Sequence, residues 1–147
     1  MAEKVVIHQK SNFQAKFWAL DPNEPESKKL HPVKRIEDLT PYGMLLAGLG
    51  SCTAIVVHTF AQYHGLGLQE LEVTAAYQRT FGEDCEHCEE IDRYREKINV
   101  TVSFRGNLSP QDEEKLFKVS KQCPIHKMLK SGVEVQSQFA REFEHEG

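Results

Sequence analysis

The sequence is short of several things. No run of lysine and arginine exceeds the pairs Lys28-Lys29 and Lys34-Arg35, and 22 acidic against 18 basic residues leave a formal charge of −4. That balance gives no electrostatic reason to expect nucleic acid as a partner. No internal repeat or low-complexity tract interrupts the 147 residues, enough for one domain spanning 1–147 and too few for two independent cores. The opening stretch Met1-Ala-Glu-Lys-Val-Val-Ile-His reads as neither a signal nor a transit peptide. A cytoplasmic setting is the expectation. There, four cysteines point to catalysis or metal binding rather than a disulfide framework.

The longest absence lies inside the chain: from Leu39 to Gln69 there is no Asp, Glu, Lys or Arg. Thr40 is a candidate N-cap, Pro41 suits the first helical position and Gly65 a C-terminal stop. Together they predict a helix over 41–64, about 36 Å long. Met44, Leu45, Leu46, Leu49, Ile55, Val56, Val57 and Phe60 leave it no clear polar face. The length would suit a membrane span. Gly43, Gly48, Gly50, Ser51, Thr53, His58, Thr59 and Gln62 argue against one, as does the lack of flanking basic clusters. No membrane partner is expected. A helix apolar all round is otherwise buried all round. A domain of this size, roughly 35–40 Å across, cannot wrap it alone. A homodimer follows.

Elsewhere the period is two. Val5 and Ile7 suggest a short strand, and Phe13, Ala15, Phe17 and Ala19 alternate with polar residues and Trp18. A polar loop from Asp21 to Pro32 has room for an edge strand. Leu71, Val73, Ala75 and Tyr77 mark another strand, and Ile98, Val100, Val102 and Phe104 a further one, flanking an acidic connection. Ser109-Pro110-Gln111-Asp112 reads as a capping box opening a helix that Pro124 ends. Ile125, Met128 and Leu129 mark a further helical turn or two, and Val133, Val135 and Phe139 a last strand. The order β-β-(β)-α-β-β-α-β is that of an α+β domain.

Cys52 lies mid-helix. Its neighbours three and four residues away are Gly48, Leu49, Ile55 and Val56, none of them a base, and His58 points to another face. The plain reading is an inert core thiol. Cys123 precedes Pro124 at a helix N-terminus, where unsatisfied N–H groups favour a thiolate, with His126 three residues on. Its alternative is a small apolar helix terminator. Cys85 and Cys88 form one Cys-x-x-Cys among acidic residues, half a zinc site, with His87 too close to be a sure ligand. Acidic neighbours raise a thiol's pKa. Two ordinary surface thiols are expected there, with no metal; a metal shared across a dimer is the second reading.

Two stretches carry a resemblance. Thr40-Pro-Tyr-Gly-Met-Leu-Leu-Ala-Gly-Leu-Gly-Ser-Cys-Thr-Ala is similar to the central helix of the OsmC/Ohr family of peroxide-handling proteins. Lys121-Gln-Cys-Pro-Ile-His-Lys-Met-Leu resembles that family's second cysteine motif, and Asp84-Cys-x-x-Cys-Glu resembles an insertion of its OsmC-like branch. The similarity spans roughly residues 35–138. It implies an intertwined homodimer whose long buried central helices pack against sheets shared between two chains. It also implies Cys52 as the peroxide-attacking cysteine and Cys123 as the resolving one, with no cofactor.

Two thiols answer a chemical need: a sulfenic acid must be trapped before it over-oxidises, and the resulting disulfide is reduced by an external dithiol. Apolar surroundings at Cys52 would suit organic hydroperoxides better than hydrogen peroxide. The sequence departs from the family at one point. Where the resemblance implies a glutamate that orients an arginine onto the thiolate, Tyr42 stands, followed by Gly43. Arg35 is the only arginine before the central helix. The expectation is a thiol-dependent peroxide reductase. The alternatives are a non-enzymatic apolar-ligand-binding dimer, or a metal or redox sensor using Cys85 and Cys88.

Overall fold

The computed structural model describes residues 2–21, 23–24, 26–81 and 94–145. Strands β1 (Ala2–Lys10), β2 (Ala15–Leu20) and β3 (Leu30–Val33) lead through a 3₁₀ turn (Ile36–Asp38) to helix α1 (Pro41–Tyr63). Then come β4 (Gly67–Phe81), β5 (Tyr94–Asn107), α2 (Pro110–Ser120) and α3 (Pro124–Ser131). The strands form one antiparallel sheet in the order β3-β2-β1-β4-β5.

The period-two pattern sets the register. Ile7 of β1 lies opposite Phe17 of β2 and Val73 of β4, and Val73 lies opposite Val102 of β5. One face of the sheet thus carries the apolar side chains, and α1 lies along it. Phe13, read as the start of β2, sits instead in the β1–β2 turn with φ 68°, and the strand begins at Ala15. β3 fills the expected edge position.

The ends of α1 follow local chemistry. Thr40 Oγ1 accepts the Gly43 N–H at 3.0 Å and donates to Glu3 on β1 at 2.9 Å. Gly65 adopts φ +66°, which lets the Leu66 N–H reach back to the Ala61 carbonyl at 2.8 Å. Leu46, Ala54, Val57 and Ala61 turn toward the sheet and pack with Val5, Ile7, Leu71 and Val73. Each such large side chain contributes about 1.5–3 kcal/mol on burial. Gly50 permits the close approach: a Cβ there would stand 2.1 Å from Ile7 Cδ1.

The sequence implied a helix covered on every side. Within the chain the sheet, α2 and α3 cover it in part, and one face stays open. Met44, Leu45 and Ile55 remain exposed on α1, although its mean hydropathy over an 18-residue window reaches 1.7, enough to cross a membrane by length and composition. The capping box of α2 forms as expected, Ser109 and Asp112 exchanging bonds of 3.1 Å each.

The last expected strand is corrected. Residues 132–140 adopt no strand, and Val135 and Phe139 are 80% and 85% exposed. A strand needs a ladder partner, and this segment pairs with no edge among the described residues.

Candidate thiol site and adjoining cavity

The fold brings Cys52 and Cys123 together. α2 ends at Ser120, and Cys123 becomes the N-cap of α3, with Pro124 at the first helical position. The Cys123 side chain makes no capping bond to its own helix, and it is fully buried. Its sulfur instead lies near enough to the half-buried Cys52 on α1 to act on that thiol's ionisation. Both thiols are free.

The first amides of α3 were expected to favour Cys123 as the thiolate. The structure turns one of them to the other sulfur: the Ile125 N–H is bonded to Cys52. Three influences then act on the Cys52 thiol. Burial pushes its pKa up most, the Cys123 sulfur, as acceptor and as a second titrating thiol, pushes the same way, and the Ile125 N–H pulls it down.

His58 takes no part. It is fully buried and bonds through Nε2 to the Gln9 carbonyl of β1 at 3.2 Å, and burial lowers its pKa. Arg35 pairs with Asp38 at 3.6 Å and lines a separate groove with Met44, Gly48 and Ser51. Cys85 and Cys88 lie outside the described residues.

Sequence reasoning missed a polar cluster at the N-terminal end of α1. Tyr42 stacks on Tyr77 of β4, with ring centroids 4.7 Å apart and planes 26° apart. The Arg79 guanidinium, from the same strand, donates to the Tyr42 hydroxyl and lies 5.6 Å from the centre of that ring. Arg79 Nε also donates to the Tyr77 hydroxyl at 3.2 Å, and Tyr77 donates to Glu96 of β5 at 2.8 Å. Burial first, then the Glu96 contact, raises the Tyr77 pKa. A signal was available. Arg79 continues the inward series Leu71, Val73, Ala75, Tyr77, and a cation at an apolar-face position calls for a partner.

Tyr42, Tyr77 and Glu96 of this cluster line a groove of about 440 Å³. Its walls come from Tyr42, Leu45 and Leu49 of α1 and from Ile98 and Val100 of β5. On α3, His126 and Leu129 form its other side, Lys97 and Lys130 stand at its open rim, and His126 directly follows Ile125, whose N–H acts on Cys52. Cys52 is one helical turn beyond Leu49 on the same face. The arrangement can hold an apolar molecule against a thiol that has a second thiol in reach.

A sequence model of the family described as OsmC-like protein matches residues 35–138. The chain superposes on an OsmC-like hydroperoxide resistance protein from Jannaschia sp. CCS1 with a TM-score of 0.62 and 11% identity, covering 95% of this chain and 93% of that one. An organic hydroperoxide resistance protein OsmC from Legionella pneumophila superposes with a TM-score of 0.50 and 11% identity, over 86% and 87% of the two chains. These likenesses establish the fold. No curated protein matches the chain. Matched over the greater part of its length, the chain belongs to the OsmC-like protein family.

Proposed function

We propose that this protein is a cytoplasmic thiol-dependent reductase of organic hydroperoxides that works as a homodimer in defence against oxidative stress. Membership of the OsmC-like family and a fold shared with hydroperoxide resistance proteins support a peroxide-related redox role. The observation that carries the finer reading is the contact of Cys52 with Cys123 beside an apolar cavity.

In the mechanism, the Cys52 thiolate attacks the terminal oxygen of the hydroperoxide. A sulfur–oxygen bond forms as the O–O bond breaks, and the alkoxide leaves and takes up a proton as the alcohol. Cys52 is then a sulfenic acid. The Cys123 thiol displaces that hydroxyl, the disulfide forms and water leaves. An external dithiol restores both thiols by exchange. The Ile125 N–H stabilises the thiolate before attack. The homodimer reading rests on the open face of α1 and on the exposed apolar side chains Val133, Val135 and Phe139.

The test is turnover of an organic hydroperoxide with thioredoxin-like and lipoyl reductants compared side by side. Cys52→Ser should abolish consumption. Cys123→Ser should allow one turnover and leave oxidised Cys52, seen by mass spectrometry. Full multiple turnover by Cys52→Ser would end the enzyme reading. One observation favours a second reading: burial holds the Cys52 thiol pKa up, as suits an apolar-ligand-binding dimer with an inert cysteine. Absence of peroxide consumption by the native protein would select it.

A further inference from the structure

The cavity beside Cys52 ends at a built wall that the redox step does not use. We propose that the stacked pair Tyr42 and Tyr77 sets the maximum length of the alkyl hydroperoxide that can reach Cys52, an inference that rests on the peroxide chemistry proposed for that thiol. Tyr42, Leu45, Leu49 and Cys52 follow one another at spacings of three, four and three residues, which places them on one face of α1. From Tyr42 to Cys52 the helix advances about 15 Å. A chain with its peroxide at Cys52 therefore runs past Leu49 and Leu45, between α1 and the apolar positions Ile98 and Val100 of β5, and meets the Tyr42 ring at its far end.

That end is fixed and polar. The two rings stack at 4.7 Å, and both hydroxyls are engaged in the series Tyr42–Arg79–Tyr77–Glu96. An alkyl tail pushing beyond it would have to part these groups and break the hydrogen bonds of the Tyr77 hydroxyl, the buried member of the series, which costs more than the methylene gains. Up to the wall, each added methylene is expected to increase binding about fourfold; beyond it the gain stops.

The experiment measures kcat/KM along a series of straight-chain alkyl hydroperoxides. In parallel it measures protection of Cys52 from iodoacetamide by straight-chain alkanols of the same lengths. Both quantities should climb with length to a break. The break should move to longer chains in Tyr42→Ala, to shorter chains in Leu45→Trp, and stay in place in Tyr42→Phe, which keeps the ring. A break unmoved in Tyr42→Ala overturns the proposal, as does a loss equal at every length. Should Tyr42→Ala fail to fold, Tyr42→Leu, which shortens the side chain and keeps it apolar, takes its place. Alkanol protection that breaks and shifts as described, without peroxide turnover by the native protein, removes the peroxidase reading and leaves the length limit standing. Turnover with no dependence on chain length does the reverse.

Discussion

Oxidation of the Cys52–Cys123 pair should change the stability of the protein by an amount the chain itself sets. The two residues are 71 positions apart (52 to 123). Closing a loop of that length removes about 15 cal/mol/K of entropy from the unfolded chain, or about 4 kcal/mol at 25 °C. Loss of the thiol hydrogen bond from the Ile125 N–H offsets about 1 kcal/mol. At roughly 2–4 °C per kcal/mol for a chain of this size, the remaining 3 kcal/mol raises Tm by about 6–12 °C. The assay is calorimetry of the fully reduced protein beside protein treated with one equivalent of hydroperoxide, with the bridge verified by peptide mass mapping. A Cys85–Cys88 bridge closes only a few residues and would give a much smaller shift. A verified Cys52–Cys123 bridge that leaves Tm unchanged or lowered would refute the contact geometry, since the bridge would then strain the fold. A large shift that survives Cys123→Ser would refute the pairing.

Three further outcomes follow from the same geometry. Burial holds the Cys52 thiol up, so its alkylation should accelerate with pH through a midpoint above the ordinary value of about 8.5. Because the unfolded chain gives up that proton first, stability from this group is lost as pH rises past that value; a midpoint below about 8 would show the Ile125 N–H outweighing burial. His58 has the opposite sign: with its pKa lowered by burial, the unfolded chain protonates first and stability falls as pH drops through about 6.5. Urea unfolding at neutral and mildly acidic pH checks this, and a slope unchanged in His58→Leu would dismiss it. Finally, light scattering at micromolar concentration should give a dimer, and Ile55→Glu, which places a charge on the open apolar face of α1, should give a monomer. A stable folded monomer of the native chain would remove the burial argument.

What the sequence made legible was local. Thr40, Pro41 and Gly65 mark the ends of α1 because caps act within a single turn. Period two marks β1, β2, β4 and β5 because one sheet face meets one helix. The contact of Cys52 with Cys123 came from resemblance, because no spacing shows which α1 face α3 covers. Electrostatics read from position assigned the α3 amides to Cys123. Only the folded geometry turns the Ile125 N–H to Cys52. Tyr77, Arg79 and Glu96 were overlooked because they come from two strands whose register is a tertiary fact, though Arg79 on an apolar face was a visible anomaly. The pattern Val133, Val135, Phe139 was read as a strand and forms none, because a pattern cannot supply the edge it needs.

The order of elements bears on how the chain is made. A 23-residue helix without one charged side chain is a hazard while it emerges from the ribosome. Here β1, β2 and β3 precede it, and they pair with one another in register. Synthesis runs from the N-terminus, so three strands of the sheet can already be assembled when α1 appears. Ile7 and the Gln9 carbonyl of β1, the partners of Gly50 and His58, precede α1 in the chain and can receive it as it emerges. The nascent helix is sheltered along one side from the outset. Its other side waits for later partners, and the interval of exposure is confined to that face.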